Sequence, residues 1–114
     1  MLTVSAKELD RTFTALADPT RRAILLRLAE GETTVGDLAR PFKISAPAIS
    51  RHLRVLEKAR LISGRREGAH KRCTLEPKTL RNAVNWLEVY RRFWNDSLDQ
   101  LAEHLKTSTP KEKS

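Results

Sequence analysis

A chain of 114 residues has room for one compact core and little more. Its composition, 39% hydrophobic and 32% charged, is that of neither a disordered nor a membrane-embedded chain, and the longest apolar run, Ala23 to Leu26, is far too short to span a bilayer. Cys73 is the single cysteine, which excludes an internal disulfide and a cysteine-pair zinc site within one chain. The net charge is +8, and all of that excess sits between Arg40 and Arg72, where ten basic residues face two acidic ones. The rest of the chain is neutral, with twelve of each sign. So concentrated a block suits a polyanionic partner. Met1 to Ala6 has no basic cluster followed by an apolar core, so a secretory or transit signal is not expected and a cytoplasmic location is.

In chain order, Ser5 to Glu8 forms a capping-box pattern, and Leu9, Phe13 and Leu16 then recur at helical spacing, which predicts a first amphipathic helix ending near Ala17. Asp18-Pro19 supplies an N-cap followed by proline at the first helical position. Ala23, Ile24, Leu25, Leu28 and Ala29 make the second helix strongly apolar; it stops at Gly31 and is expected to be the most buried. Thr34 to Asp37 opens a short third helix with Val35, Leu38 and Ala39 inward, ended by Pro41. The turn runs from Pro41 to Ile44. Ser45 then caps a fourth helix with Pro47 in its first turn. Ile49, Leu53 and Leu56 form its buried stripe, while Pro47, Ser50, Arg51, Arg54 and Lys58 form a polar, basic face without acidic residues.

Leu61 to Arg66 and His70 to Leu75 read as two short strands joined at Glu67-Gly68-Ala69, a basic hairpin. Beyond Pro77 one long helix is expected to about Lys106, with Ala83, Leu87, Tyr90, Trp94, Leu98, Leu101 and Leu105 at steps of three and four. At that length it extends about 40 Å. Trp86, Val89 and Phe93 widen its apolar surface beyond what one small core covers, which implies a second subunit. The domain is therefore expected over residues 1–106, with a polar, frayed tail over 107–114.

A short helix, a four-residue turn, a longer helix with a polar outer face and a basic hairpin make the order of a winged helix-turn-helix: mainly α with a small β-hairpin. In that arrangement Arg51 and Arg54 reach guanine edges or phosphates, Ser50 bonds to either, the small residues Ala46 and Ala48 let the helix end approach closely, and Ser45, Ala46 and Pro47 at its start count among the DNA-binding residues, Pro47 mainly for structure. His52 borders the buried stripe and suits either packing or DNA contact. Arg65, Arg66, His70, Lys71 and Arg72 sit near the hairpin turn, where they follow phosphates or enter a minor groove.

Three segments carry a resemblance: Leu16-Ala-Asp-Pro-Thr-Arg-Arg-Ala-Ile24, Ile44-Ser-Ala-Pro-Ala-Ile-Ser-Arg-His-Leu-Arg-Val-Leu56, and Leu61-Ile62 leading into Arg65-Arg66-Glu67-Gly68. Over about Leu9 to Leu105 the sequence closely resembles the ArsR family of dimeric winged-helix repressors. The resemblance implies a homodimer on a palindromic duplex DNA operator, read by the helix that matches Ser45 to Ala59. Its dimers are built on the terminal helices, which assigns Leu9 and Phe13, with Leu87, Tyr90, Trp94, Leu98, Leu101 and Leu105, to dimerisation.

Members that sense arsenic or cadmium carry paired cysteines on the third helix, whereas Thr34 to Leu38 here has no thiol. Asp96, Asp99, Glu103 and His104 lack the terminal-helix pattern of another sensor class. No metal site, no cofactor and no catalysis are expected, since phosphate loop, nucleophile elbow and acid-base pair are all missing. Cys73 reads as a packed thiol rather than a redox sensor. Two alternatives stay open: a winged-helix module that meets an acidic protein, and a repressor whose terminal-helix aromatics bind a small effector.

Overall fold

The computed structural model describes residues 5–108. Its elements run α1 (Ala6–Leu16), α2 (Pro19–Leu28), β1 (Thr33–Thr34), α3 (Val35–Ala39), α4 (Ala46–Lys58), β2 (Ile62–Glu67), β3 (His70–Leu75) and α5 (Pro77–Ser108). They fall into two units, one ending at Ala83 and one beginning at Val84.

Helix starts are where local chemistry dictates them. Ser5 caps α1 through a complete capping box: its hydroxyl accepts from Glu8 N at 3.1 Å, and the Glu8 carboxylate accepts from Ser5 N at 2.9 Å. Asp18 caps α2 by accepting from Thr20 N and Arg21 N, with Pro19 behind it. Those backbone bonds, Arg21 first, hold the Asp18 carboxyl below the usual carboxylate range. Thr34 caps α3 and Ser45 caps α4 in the same way.

The core of the first unit gathers Ile24 and Leu28 of α2, Leu38 of α3, Ile49, Leu53 and Leu56 of α4, Leu61, Ile62 and Cys73. The buried side of α1 is narrower than its apolar stripe suggests. Thr12 and Ala15 are buried there, whereas Leu9, Phe13 and Leu16 are only half-buried. Small residues permit the close approach, and Thr12 satisfies its hydroxyl on Glu8 O at 3.0 Å. On α2, Ile24, Leu25 and Leu28 are buried as expected, but Ala29 is the exposed C-cap, already past the last inward turn.

The hairpin is part of a three-stranded antiparallel sheet in the order β1-β3-β2. The strand at Thr33–Thr34 was not expected. Two residues are too few for a period-2 pattern, and only pairing to Cys73 and Arg72 of β3 makes them a strand. β2 is displaced by one residue from its expected bounds. Leu61 is instead fully buried between elements, and Glu67 pairs with His70 across the two-residue turn at Gly68-Ala69. Gly68 takes φ +63° there, as such a turn demands.

The second unit is helical. Leu87, Tyr90, Phe93, Trp94, Leu98, Leu101 and Leu105 are all exposed within it, and the Trp86 and Tyr90 rings meet at 4.6 Å. α5 continues to Ser108, two residues beyond the expected end. Thr107 bonds back to the carbonyls of Glu103 and His104, which extends the last turn into the segment expected to fray. The rest of that segment, 109–114, lies outside the described residues.

Where α4 ends, Arg60 takes φ +61°. Arg60 N donates to Glu57 O and Leu61 N to Leu56 O at 3.0 Å, the pair of bonds that closes a helix through a left-handed residue. Glycine fills that conformation without a Cβ penalty. Arg60→Gly is expected to stabilise the fold by roughly 0.5–1 kcal/mol in urea unfolding; a loss of stability contradicts this reading of the turn.

Candidate nucleic-acid interface

α3 and α4 follow one another across the turn from Arg40 to Ser45, and α4 leans on the core through Ile49, Leu53 and Leu56. A helix that buries one stripe turns its opposite side out. Accordingly Ala46, Pro47, Ser50, Arg51, Arg54 and Lys58 are exposed. Among the described residues Arg51, Arg54 and Arg66 form no ion pair, so their charge is available to an external anion.

His52 turns the other way. It is half-buried, and its Nδ1 lies 3.2 Å from Arg21 Nη1. A guanidinium only donates, so this contact makes Nδ1 the acceptor and places the ring proton on Nε2. Arg21 also donates to Ala15 O at 2.7 Å and Thr14 O at 3.1 Å, and Arg22 to Leu16 O. The two arginines thus satisfy the open carbonyls at the end of α1. Arg21 thereby ties the end of α1 to His52 on α4.

The wing carries its charge differently. Arg65 and Arg72 are direct cross-strand partners, an arrangement that like charges disfavour. Carboxylates relieve it. Glu32, in the loop before β1, lies 3.1 Å from Arg72 Nε and 3.6 Å from Arg65, while Glu67 lies 3.5 Å from each arginine. Thr74 Oγ1 also donates to Glu32. On the other face of the hairpin, Lys71 Nζ sits 2.7 Å from Oε2 of Glu57, on α4. Of the wing residues expected at the interface, Arg65, Lys71 and Arg72 are therefore paired within the chain, and Arg66 and His70 stand exposed at the tip. A cleft of about 340 Å³ separates α4 from the wing, lined by Ser50, Arg54, Arg66, His70 and Lys71 among others.

Sequence reasoning missed Glu32, Glu57 and Gly64. A glycine inside a strand signals close approach of another group, and that signal was present at Gly64. Nothing local marks the glutamates, whose partners are 14 or more residues away: Glu57 to Lys71, Glu32 to Arg72.

Cys73 is fully buried in β3. Burial pushes its thiol pKa up, against a smaller opposing pull from Lys71, and a thiol held protonated is a poor nucleophile. Among the described residues no group of three or more His, Cys, Asp or Glu side chains is placed to hold a metal ion, and no helix is long and apolar enough to cross a membrane.

Comparison with known proteins bears on this geometry. Residues 18–63, from the cap of α2 into β2, match the family model described as bacterial regulatory protein, arsR family. The HTH-type transcriptional regulator Rv2034 of Mycobacterium tuberculosis (strain ATCC 25618 / H37Rv) is 45% identical over 94 residues, 82% of this chain and 85% of that protein. The chain belongs to the ArsR family. The transcriptional repressor SdpR of Bacillus subtilis (strain 168) is 42% identical over 79 residues, 69% of this chain and 88% of that protein. The crystal structure of the ArsR family transcriptional regulator RHA00566 superposes with a TM-score of 0.76 at 35% identity, covering 81% of this chain and 95% of that one. The winged helix-turn-helix expected from the order of elements is the family's fold, and the chain is a transcriptional regulator of that family.

Hydrogen bonds from Arg72 and then Thr74 hold the Glu32 carboxyl below its ordinary value of 4.5. A carboxyl with a depressed folded pKa stabilises the fold above its unfolded value and loses that contribution as pH falls through the folded one. Thermal melts at low salt should therefore find wild type more stable than Glu32→Gln at neutral pH, with the gap closing below pH 4.5. A gap independent of pH rules the contact out as its source.

Proposed function

We propose that this ArsR-family chain is a sequence-specific repressor that binds a palindromic DNA operator as a homodimer in the cytoplasm. The observation that carries the DNA-binding part is the outward face of α4. Ser50, Arg51, Arg54 and Lys58 are open to solvent, the one carboxylate lining the same cleft, Glu57, is paired with Lys71, and the wing tip beside them carries Arg66 and His70. A helix of this size enters a major groove, where arginine bonds bidentately to guanine and phosphate contacts set the register. Ser45, Ala46 and Pro47 bring the helix start close to the duplex. Arg65 and Arg72 flank the contact and exchange Glu32 and Glu67 for phosphate when DNA arrives. His52 acts from behind by orienting α4. The name of SdpR, a transcriptional repressor, supports repression, and occlusion of a promoter by the bound dimer is its simplest mechanism.

The dimer rests on apolar surface. Leu87, Tyr90, Trp94, Leu98, Leu101 and Leu105 of α5 are each 44% or more exposed, a run that an isolated subunit leaves in water. Leu9 and Phe13 of α1 add half-buried apolar area to the same role. Two such helices meeting about a twofold axis give a self-complementary interface, and two copies of α4 then address successive major grooves.

Selection of duplexes from a random library by the purified protein tests the proposal. Enrichment of one inverted repeat is expected, and Arg54→Ala should weaken binding to that duplex by roughly tenfold or more while relaxing base preference at one position per half-site. Equal loss on selected and random duplex would place Arg54 on phosphate instead. Sedimentation of Trp94→Glu/Leu98→Glu should yield a monomer with far weaker DNA binding; a variant that remains dimeric removes α5 from the interface.

A further inference from the structure

Within the basic segment one carboxylate has the wrong sign for a phosphate-binding surface. Glu57 leaves α4 on the side facing the wing, and its Oε2 is sealed from solvent with no aligned hydrogen-bond donor among the described residues. The charge that compensates it is Lys71 Nζ, 2.7 Å away on β3. The side chains of Lys71 and Glu57 keep 40% and 27% of their surface exposed, but the sealed oxygen is costly without that cation, so the pair ties the helix to the hairpin.

Gly64 of β2 makes room for it. A Cβ at this position overlaps Lys71 Cε and comes within 2.7 Å of Glu57 Oε2. Unlike Gly31 and Gly68, Gly64 has no positive φ, so its backbone suits any residue, and what a Cβ there would displace is the Lys71–Glu57 pair itself. The pair lies across the strand at the one position without a side chain, where β2 pairs with Cys73.

We propose that Glu57 is a positioning residue for DNA recognition: through Lys71 it fixes the wing against α4, and Lys71 serves as a strut instead of a phosphate contact. This inference rests on the DNA-binding reading above. A strut and a phosphate ligand differ in sign and in salt dependence. Removing an acidic group beside a polyanion strengthens binding if Lys71 is a phosphate ligand, because the lysine is released to the DNA. It weakens binding if the wing loses its setting. A lysine already neutralised inside the chain displaces no counterion from DNA, so its removal leaves the salt slope unchanged, whereas loss of a phosphate contact lowers it by about one ion.

The experiment measures binding of wild type, Glu57→Gln, Lys71→Met and Gly64→Ala to a library-selected duplex and to a random duplex over a range of salt. Gly64→Ala alters no charge, and the atoms it displaces are flexible side-chain ends, so the fold survives should either other variant fail to fold. Each single variant is expected to lose roughly three- to tenfold on the selected duplex and under about twofold on the random one, with unchanged slopes and with Glu57→Gln/Gly64→Ala no worse than either alone. Tighter binding by Glu57→Gln, a slope lowered by about one ion in Lys71→Met, or wild-type affinity in Gly64→Ala overturns the inference and leaves DNA binding intact. If wild type enriches no duplex at all, the DNA-binding reading itself falls, and this inference with it.

Discussion

An α-helix that buries Ile49, Leu53 and Leu56 along one stripe has no freedom in what it presents on the other side, because side chains 100° apart around a rigid cylinder turn together. This one-sided burial of α4 orders the rest of the first unit. α2, β2 and α1 supply the surface it packs on, and Arg21 joins the end of α1 to His52 on its flank. A left-handed residue at Arg60 then turns the chain sharply into the sheet. If the stripe moved by one residue, the core would lose Ile49, Leu53 and Leu56 and the outward arginines would lose their aim. The same few leucines therefore hold the fold and aim the outward face.

Charge is handled in two ways on neighbouring elements. Among the described residues the arginines of α4 form no ion pair, whereas the wing holds most of its cations against carboxylates from three different parts of the chain. Exposed pairs such as those of Glu32 contribute little to stability one by one. Their effect is on placement: two arginines opposite each other on adjacent strands repel unless something negative lies between them. The excess of +8 thus overstates the charge free to meet a polyanion, and it is concentrated on α4 and the wing tip.

Much of the architecture was legible in the sequence because it is decided locally. Caps at Ser5, Asp18, Thr34 and Ser45 are one-residue signals with a bond two or three residues ahead, and the helical period exposes the stripe of α4 and the apolar run of α5. Expectations failed where the deciding partner is remote. Thr33–Thr34 becomes a strand only by pairing with β3. Thr12 displaces Leu9 and Phe13 from the interior because small residues allow helices to approach. His52 faces Arg21 across 31 positions, and its sequence neighbours say nothing of that.

The sequence by itself determined the order of the helices and the hairpin, the caps, the outward basic face of α4 and the apolar surplus of α5, since each follows from side-chain chemistry repeated over a few residues. Only the tertiary structure decided which cations are already paired, why Gly64 carries no side chain, and that Lys71 meets Glu57 and not open solvent. Those outcomes depend on distances between atoms far apart in the chain, which packing sets and no local pattern encodes.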